Sequence, residues 1–540
     1  MTKSKRRFLL YLVFPIALIL IGFYALQNWA KMELTNTLDH KMPRHVQLQF
    51  KDLQLSIFSG TLEIKNVGLR IENKDTASLR AQINVDAIAL EGVSYWQFLM
   101  NSRIVLERAN ITKPKIFYYP PPKSTGTHNL KDSTVPDKIN SFSLDHFAIN
   151  GGQFTLMQKG TDSTRLSAKG IEFSMENIKT DTVLIKNKIP LKYSSYRIAA
   201  QDIFVDLGTL LGLTVSRLEV DNQNLRIGGL ALKTKYSKVG LSKVIKTERD
   251  YLDLNVPEVK LNGIDFGYHG ERFYTSITEI SVSEAKLDIF RDKRVPDDMR
   301  YKPLYSKMLR DLPMDLTIQK TSIANSDITL EQLIETGSKP GKIFFADINA
   351  TIENIANTYP PGEKTKIDAK SQFMGVSPVH LKWTFDTNSE SDIFLISGSV
   401  QNFDPSTIDS FLKPKLKVKV DGHIDQIYFT ATGNNSTATG DMVMKYEDFS
   451  FTVLHKDREE TNKFLTTVGN LFVNDGSKSD GEGFRHGKIE VERITHKSFF
   501  NYLWVCVRSG LVSTLTGLGM KPGKFNRLMK KKGRGEERRR

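Results

Sequence analysis

The chain has 540 residues, 39% hydrophobic and 25% charged, enough apolar content to fold, and this excludes general disorder. Its one cysteine, Cys506, excludes an internal disulfide framework. The formal net charge of +15 is uneven: residues 521–540 hold ten basic and two acidic residues, so the body is only mildly basic and the composition indicates no nucleic-acid partner. The basic tail suits anionic lipid head groups and a solubilising role equally well.

The first element runs from Phe8 to Leu26 and carries no charge. At 1.5 Å per residue it would span roughly 28 Å, close to the hydrocarbon thickness of a bilayer. Lys3, Lys5, Arg6 and Arg7 precede it, and no acidic residue appears before Glu33. The positive-inside rule keeps that end cytoplasmic and sends the rest outward, with Trp29 and Lys31 at the interface. A cleaved signal peptide is the rival reading, but sites ending at Ala25 or Ala30 put Phe23 or Asn28 where a small residue is wanted. An uncleaved transmembrane anchor is therefore expected, and the absence of a cysteine after the run excludes a lipoprotein.

Beyond a short helical continuation at Met32–Met42, the pattern changes to period two. Leu53, Leu55 and Ile57 alternate with polar residues, followed by Leu62 and Ile64, then Val67, Leu69 and Ile71. The phase slips at Lys65-Asn66, which predicts a bulge or tight turn. Further pairs recur at Ile83/Val85, Ile104/Leu106, Ile116/Tyr118 and, from Leu218/Val220 onward, as far as Phe449/Phe451/Val453. Short helices are expected at Val93–Met100, Thr209–Leu213, Tyr305–Leu312, Leu330–Ile334 and Pro405–Leu412. Longer ones are expected at Lys463–Val473 and Phe499–Leu518. Tyr118–Asp137, with Pro120, Pro121 and Pro122, reads as an irregular loop, as does Asn474–His486.

Twenty or more one-faced strands expose a large apolar surface that so few helices cannot cover. The strands either pack as sandwiches or curl into a trough whose floor meets something other than protein. Acyl chains suit such a floor, being flexible and indifferent to side-chain detail. About 25 strands at roughly 4.8 Å spacing would make a body on the order of 120 Å long.

Leu53–Ile71, with a strand, a Gly turn and a strand carrying Asn-Val-Gly-Leu, resembles the opening of AsmA-like proteins. Ile88–Leu99 followed by Ile104–Ile116, reaching Pro114, is similar to that family's strand, short helix and paired strands. Gly398–Leu412, Val418–Phe429 and Gly440–Phe451 resemble its C-terminal region. Residues 140 to 380 agree in strand texture alone. The resemblance implies a Gram-negative inner-membrane protein with a periplasmic repeating β-groove, akin to bridge-like lipid-transfer proteins. It implies phospholipid movement between inner and outer membranes and carries no catalytic motif. The chain is short for that family, so a full bridge across the periplasm is not implied.

The ten histidines are scattered without a His-x-x-x-His pair, and no Gly-x-Ser-x-Gly or Walker loop occurs. Gly481, Gly483 and Gly487 lack a flanking βαβ unit, and Asp480-Gly481 misses the EF-hand spacing, so neither an enzyme nor a cofactor or metal site is expected. At the C-terminus Phe499, Phe500, Leu503, Trp504, Val507 and Leu511 recur at helical spacing before the basic tail. Three roles stay open for them: a membrane-interface helix, a cap on the open end of the sheet, or a second span, which the mid-helix Arg508 disfavours. Phe142, Phe147, Phe173, Phe266, Phe345, Trp383, Phe429 and Phe451 are the groove-lining candidates, and a closed sandwich core is their alternative role.

The expected fold is mostly β: an N-terminal transmembrane helix, then an elongated, curved, mostly antiparallel β-groove with short helices and a C-terminal amphipathic helix. The expected parts are a stub and anchor (1–31), an N-terminal AsmA-like part (32–120), a central groove (121–385), a C-terminal β region (386–497), the amphipathic helix (498–520) and the tail (521–540). The expected function is passive conduction of phospholipid in the periplasm of a Gram-negative bacterium. Its expected partners are acyl chains, the inner membrane, and the outer membrane or envelope proteins. A non-conducting membrane-tethered scaffold for envelope assembly is the rival.

Overall fold

A computed structural model describes residues 27–32, 35, 43, 45–73, 78–94, 97, 101, 103–120, 141–158, 163–335, 339–416, 418–453 and 479–516. The expected anchor, Phe8–Leu26, lies outside them, as do the expected helix Lys463–Val473 and the basic tail. Among the described residues no helix is long and apolar enough to cross a membrane. The protein is mostly β, with 23 strands among the described residues, divided between two compact units with their boundary at Ile227/Gly228. Strand β11 (Asn224–Thr234) straddles that boundary.

In the first unit, β1 (Val46–Gln49) and β2 (Asp52–Ser56) form one broken strand against β3 (Thr61–Glu72). The break faces Asn66, which adopts a left-handed φ of 51°, at the phase slip visible in the sequence. Then β4 (Leu79–Glu91) pairs antiparallel with β3 on one side and with β5 (Arg103–Thr112) and β6 (Lys115–Tyr118) on the other. β5 and β6 are again one strand, interrupted at Lys113-Pro114, and both run parallel to β7 (Ser141–Met157). β8 (Thr164–Asp181), β9 (Ser195–Asp206) and β10 (Leu211–Asp221) follow in an antiparallel meander.

The second unit repeats this arrangement. Helix α1 (Lys238–Val244) leads into β12 (Tyr251–Asn262). That strand pairs with another interrupted strand, β14 (Arg272–Ser283) and β15 (Lys286–Asp292), while β13 (Asp265–His269) forms a hairpin with β14. β14 and β15 both run parallel to β16 (Asp315–Leu333), which pairs antiparallel with β17 (Gly341–Ala356). A parallel join needs a crossover. Residues 119–140 and 293–314, 22 in each case, supply it in the two copies, and the second contains α2 (Tyr305–Arg310). The sheet is mostly antiparallel, as expected, but mixed, with a parallel join in each unit.

The correspondence extends to single backbone angles. Gly92 and Gly263 have φ of 66° and 65°, Lys113 and Glu284 of 47° and 57°, and Gly151 and Asn325 of 68° and 49°. Gly170 and Asp347 have 54° and 50°, and Asn177 and Asn354 have 52° and 59°. The N–H of Lys113 donates to Asn150 O at 2.7 Å, and that of Glu284 to Ala324 O at 2.9 Å. On the next rung Gln153 N–H donates to Pro114 O at 2.7 Å, and Asp327 N–H to Ala285 O at 2.8 Å.

These left-handed residues explain the broken alternation. In β8 the apolar positions are 166 and 168, then 171, 173 and 175, then 178; the phase changes at Gly170 and Asn177. An extra residue at a bulge shifts side-chain parity by one. The cross-strand register confirms that one face stays apolar throughout: Leu144 lies opposite Ile178, Phe147 opposite Met175, Ile149 opposite Phe173, and Leu156 opposite Leu166. In the second copy Ile318 faces Ile355, Ile323 faces Ala350, Ile328 faces Phe345, and Leu330 faces Ile343.

The remainder of the second unit is built differently. β18 (Thr365–Phe373), β19 (Ser377–Phe385), β20 (Phe394–Phe403), β21 (Val418–Gly433), β22 (Thr437–Val453) and β23 (Arg485–Glu492) form an antiparallel meander. Its apolar face is covered by α3 (Asp409–Leu416), by the crossover residue Leu304 and by α4 (Phe499–Thr516). Ile396, Ala431, Met442 and Met444 are fully enclosed beneath them. Helix α4 also closes the edge of β23. Ser513 Oγ accepts from Lys488 N–H at 2.8 Å and Ser509 Oγ from Glu490 N–H at 3.3 Å, satisfying donors that an edge strand leaves open. Gly487 permits this approach, since a Cβ there would lie 2.6 Å from Thr514 N and 2.9 Å from Gly510 O.

Candidate functional site

The apolar face of the repeated part has little above it. In the first unit the buried hydrophobic cluster holds four residues, Leu106, Ala109, Leu144 and Ile178, against twenty-two in the closed core of the second. Most other apolar side chains of β3 to β10 and β12 to β17 are half-buried, screened by strand neighbours rather than by a second layer of described residues. Three groove candidates sit on this open face of the first unit. Phe142 and Phe147 pack at the rim of its small cluster. Phe173 meets Phe147 edge-to-face with ring centroids 5.7 Å apart. In the second unit Phe345 is half-buried on β17, 5.1 Å from the Phe373 ring.

The other candidates go elsewhere. Trp383 and Phe429 are 8% exposed inside the closed core, where Trp383 stacks on Phe499 at 4.1 Å with an interplanar angle of 9°. Buried in this way, neither offers surface to a ligand. Phe266 is exposed on β13, apart from the other aromatics named above. Phe451 belongs to β22, but its side chain lies outside the described residues. On α4, Phe499 is buried and Leu503, Trp504, Val507 and Leu511 are half-buried against the core, so this helix does cap the sheet. Phe500 alone of the six points outward, 60% exposed, with Tyr305 edge-on at 6.5 Å.

The aliphatic residues sharing the open face with the aromatics, Ile149, Ile171 and Met175 and their second-copy counterparts Ile323, Ile348 and Ile352, were not anticipated as candidates. Their signal is the twice-shifted alternation, which a search for unbroken period two overlooks. At one end of β5, β7 and β8 a depression of ≈ 410 Å³ is lined mainly by Arg103, Val105, Ser141, Ser143, Lys179 and Asp181, which the register places on the face opposite the Phe142 ring.

Burial pushes the Cys506 thiol up to about 12, so it is a packing group rather than a nucleophile. Among the described residues no group of three or more His, Cys, Asp and Glu is placed to hold a metal ion. Neither a family model nor a curated protein sequence matches the chain.

Proposed function

We propose that the open apolar face binds the acyl chains of phospholipid and lets them slide, in a membrane-anchored protein exposed to the periplasm of a Gram-negative bacterium. The observation that carries this reading is the twofold preservation of an apolar face through four phase shifts with almost no second layer among the described residues. A sheet face without a covering layer is apolar surface held in contact with water, which marks a binding site. Burial of each CH₂ contributes about 0.8 kcal/mol, and a repeated floor makes that gain similar from one position to the next, so movement meets small barriers. The mechanism is passive: acyl chains lie on the floor and head groups stay in water. On this reading Phe8–Leu26 anchors the chain and the groove is elongated and curved, because bulges on neighbouring strands bend them together. The closed core under α3 and α4 favours a scaffold role for that region alone.

The test is photo-crosslinking in cells with the full chain, placing a benzophenone amino acid at Phe147, at Phe345 and, as the control on the opposite face, at Ser174. Phospholipid adducts at Phe147 and Phe345 but not at Ser174 are expected. Adducts at none of them, or equally at all three, would overturn the reading in favour of a dry scaffold.

A further inference from the structure

Three connections in the second unit are locked together on its surface: residues 235–250 around α1, the crossover 293–311, and residues 493–500 leading into α4. Glu248 N–H donates to Pro296 O at 2.7 Å, and Lys302 N–H to Thr495 O at 2.9 Å. Lys293 Nζ lies 2.6 Å from Glu248 Oε2, Lys497 Nζ lies 2.5 Å from Asp297 Oδ1, and Arg249 Nη1 lies 3.5 Å from Asp298 Oδ2. Together the segments hold thirteen Lys and Arg against five Asp and Glu, far more basic than the chain as a whole. The excess persists at the surface, where Lys235, Lys243, Lys246, Arg249, Arg294 and Arg300 are exposed against Asp297 and Asp311. The Glu248 and Asp298 side chains are buried within the clamp. Large apolar side chains stand out among these bases. Met299 is 69% and Val239 63% exposed, and Val244, Tyr301, Met308 and Phe500 are exposed as well.

We infer that this knuckle docks on the surface of an anionic phospholipid bilayer. Bases attract the head-group charge, and protruding Met, Val, Tyr and Phe side chains enter the boundary between head groups and acyl chains. The excess of exposed bases over exposed acids gives the charge complementarity that this partner requires. The segments that form this surface are other than the strands of the open apolar face, and the inference does not rest on lipid conduction.

The full chain, inserted in phosphatidylcholine nanodiscs, is mixed with vesicles of phosphatidylcholine with or without phosphatidylglycerol, and capture is measured by flotation. Each lysine at an anionic surface accounts for about a fivefold change in affinity. K243Q/K246Q is therefore expected to weaken capture of phosphatidylglycerol vesicles about 25-fold and to flatten its salt dependence. M299D should weaken it further. The basic tail is present in every variant, so the ratio between variants isolates the knuckle. Unchanged capture by K243Q/K246Q, equal capture of neutral vesicles, or a change in self-association in place of vesicle capture would each overturn the inference. These exposed positions leave the fold intact, which an unchanged circular dichroism melt verifies. Phospholipid co-purifying with K243Q/K246Q stays at the wild-type level, so a failure of docking and a failure of the groove read out separately.

Discussion

Replacing Phe173 with Asp separates an open apolar face from a closed one. Phe173 is half-buried on β8, and its ring partner is Phe147 at 5.7 Å. Loss of that edge-to-face pair costs roughly 0.5–1.5 kcal/mol. Loss of the half-buried ring's transfer energy adds about 1 kcal/mol. With no layer above it among the described residues the new carboxylate keeps its water, so no desolvation cost follows, and F173D should weaken the β7–β8 pair by about 2 kcal/mol. Ile396 is the contrast, 1% exposed under α4. There I396D combines a cavity of Leu/Ile-truncation size, roughly 2–5 kcal/mol, with burial of a charge costing several more. That sum reaches the whole stability of an ordinary domain, about 5–15 kcal/mol. Hydrogen exchange read by peptide separates the two regions, which a single melting curve for two units does not. F173D should leave the β7–β8 amides protected within about 2 kcal/mol of wild type while lowering bound phospholipid, and I396D should expose β19 to β23 together. Loss of more than about 4 kcal/mol of protection in F173D would show that something covers this face, and the open-floor argument would fall.

Three further outcomes follow from the closed end. G487V places a side chain against the Thr514 and Gly510 backbone, so the β23–α4 contact should lose at least about 2 kcal/mol, seen as faster exchange across β22, β23 and α4. S509A/S513A removes the two acceptors for Lys488 and Glu490 N–H, at about 1 kcal/mol each, and frees an edge; exchange at those two amides should rise and the variant should aggregate sooner, whereas wild-type behaviour would deny the capping role. Asp292, hydrogen-bonded by Arg294 and also by the Arg294 backbone N–H and Ser242, has its carboxyl lowered from 3.8 to about 2. Its folded pKa is depressed, so its contribution is fully present above about 4 and is lost as pH falls through 2. D292N should remove on the order of 2 kcal/mol at neutral pH and nothing at pH 2, read as the pH dependence of crossover protection in the two proteins.

Much of the β character was legible because alternation is a local signal. The slip at Lys65-Asn66 predicts a bulge or tight turn, and Asn66 there has a left-handed angle opposite the break between β1 and β2. The helices at Tyr305, Pro405 and Phe499 also lie where spacing put them. Leu330–Ile334 has helical spacing but ends a 19-residue strand, because pairing with β17 outweighs local propensity. Thr209–Leu213 likewise runs into β10. Helix α1 escaped notice because Gly240 lies inside it, although Ser237 caps it by accepting from Gly240 N–H at 3.1 Å. Between 140 and 206 the sequence shows strand texture without clean alternating pairs, since each strand is broken into short runs of different phase. The fate of Trp383 and Phe429 could not be read locally at all. Whether a strand residue is floor or core depends on what covers it, and their cover comes from Leu304, Phe411 and Phe499.

The repeat preserves angles rather than identities, and this says what the fold requires. Gly151 corresponds to Asn325 and Gly170 to Asp347, with the same sign of φ in each pair. Gly, Asn and Asp enter the left-handed region most readily, so any of them serves at a bulge. Lys113 and Glu284 have no such ease, yet both adopt it, held by the matching bonds to Asn150 O and Ala324 O. Strain retained at equivalent positions in both copies needs a compensating gain. The gain available is register: without the extra residue, every apolar side chain beyond it would turn to the opposite face. Each long strand therefore gives one or two residues to a left-handed break so that its apolar positions remain on one side. A sandwich could tolerate shorter strands and would bury the face it had aligned. Here the aligned face is kept long and, among the described residues, largely uncovered, which is the condition under which an acyl chain finds continuous apolar surface.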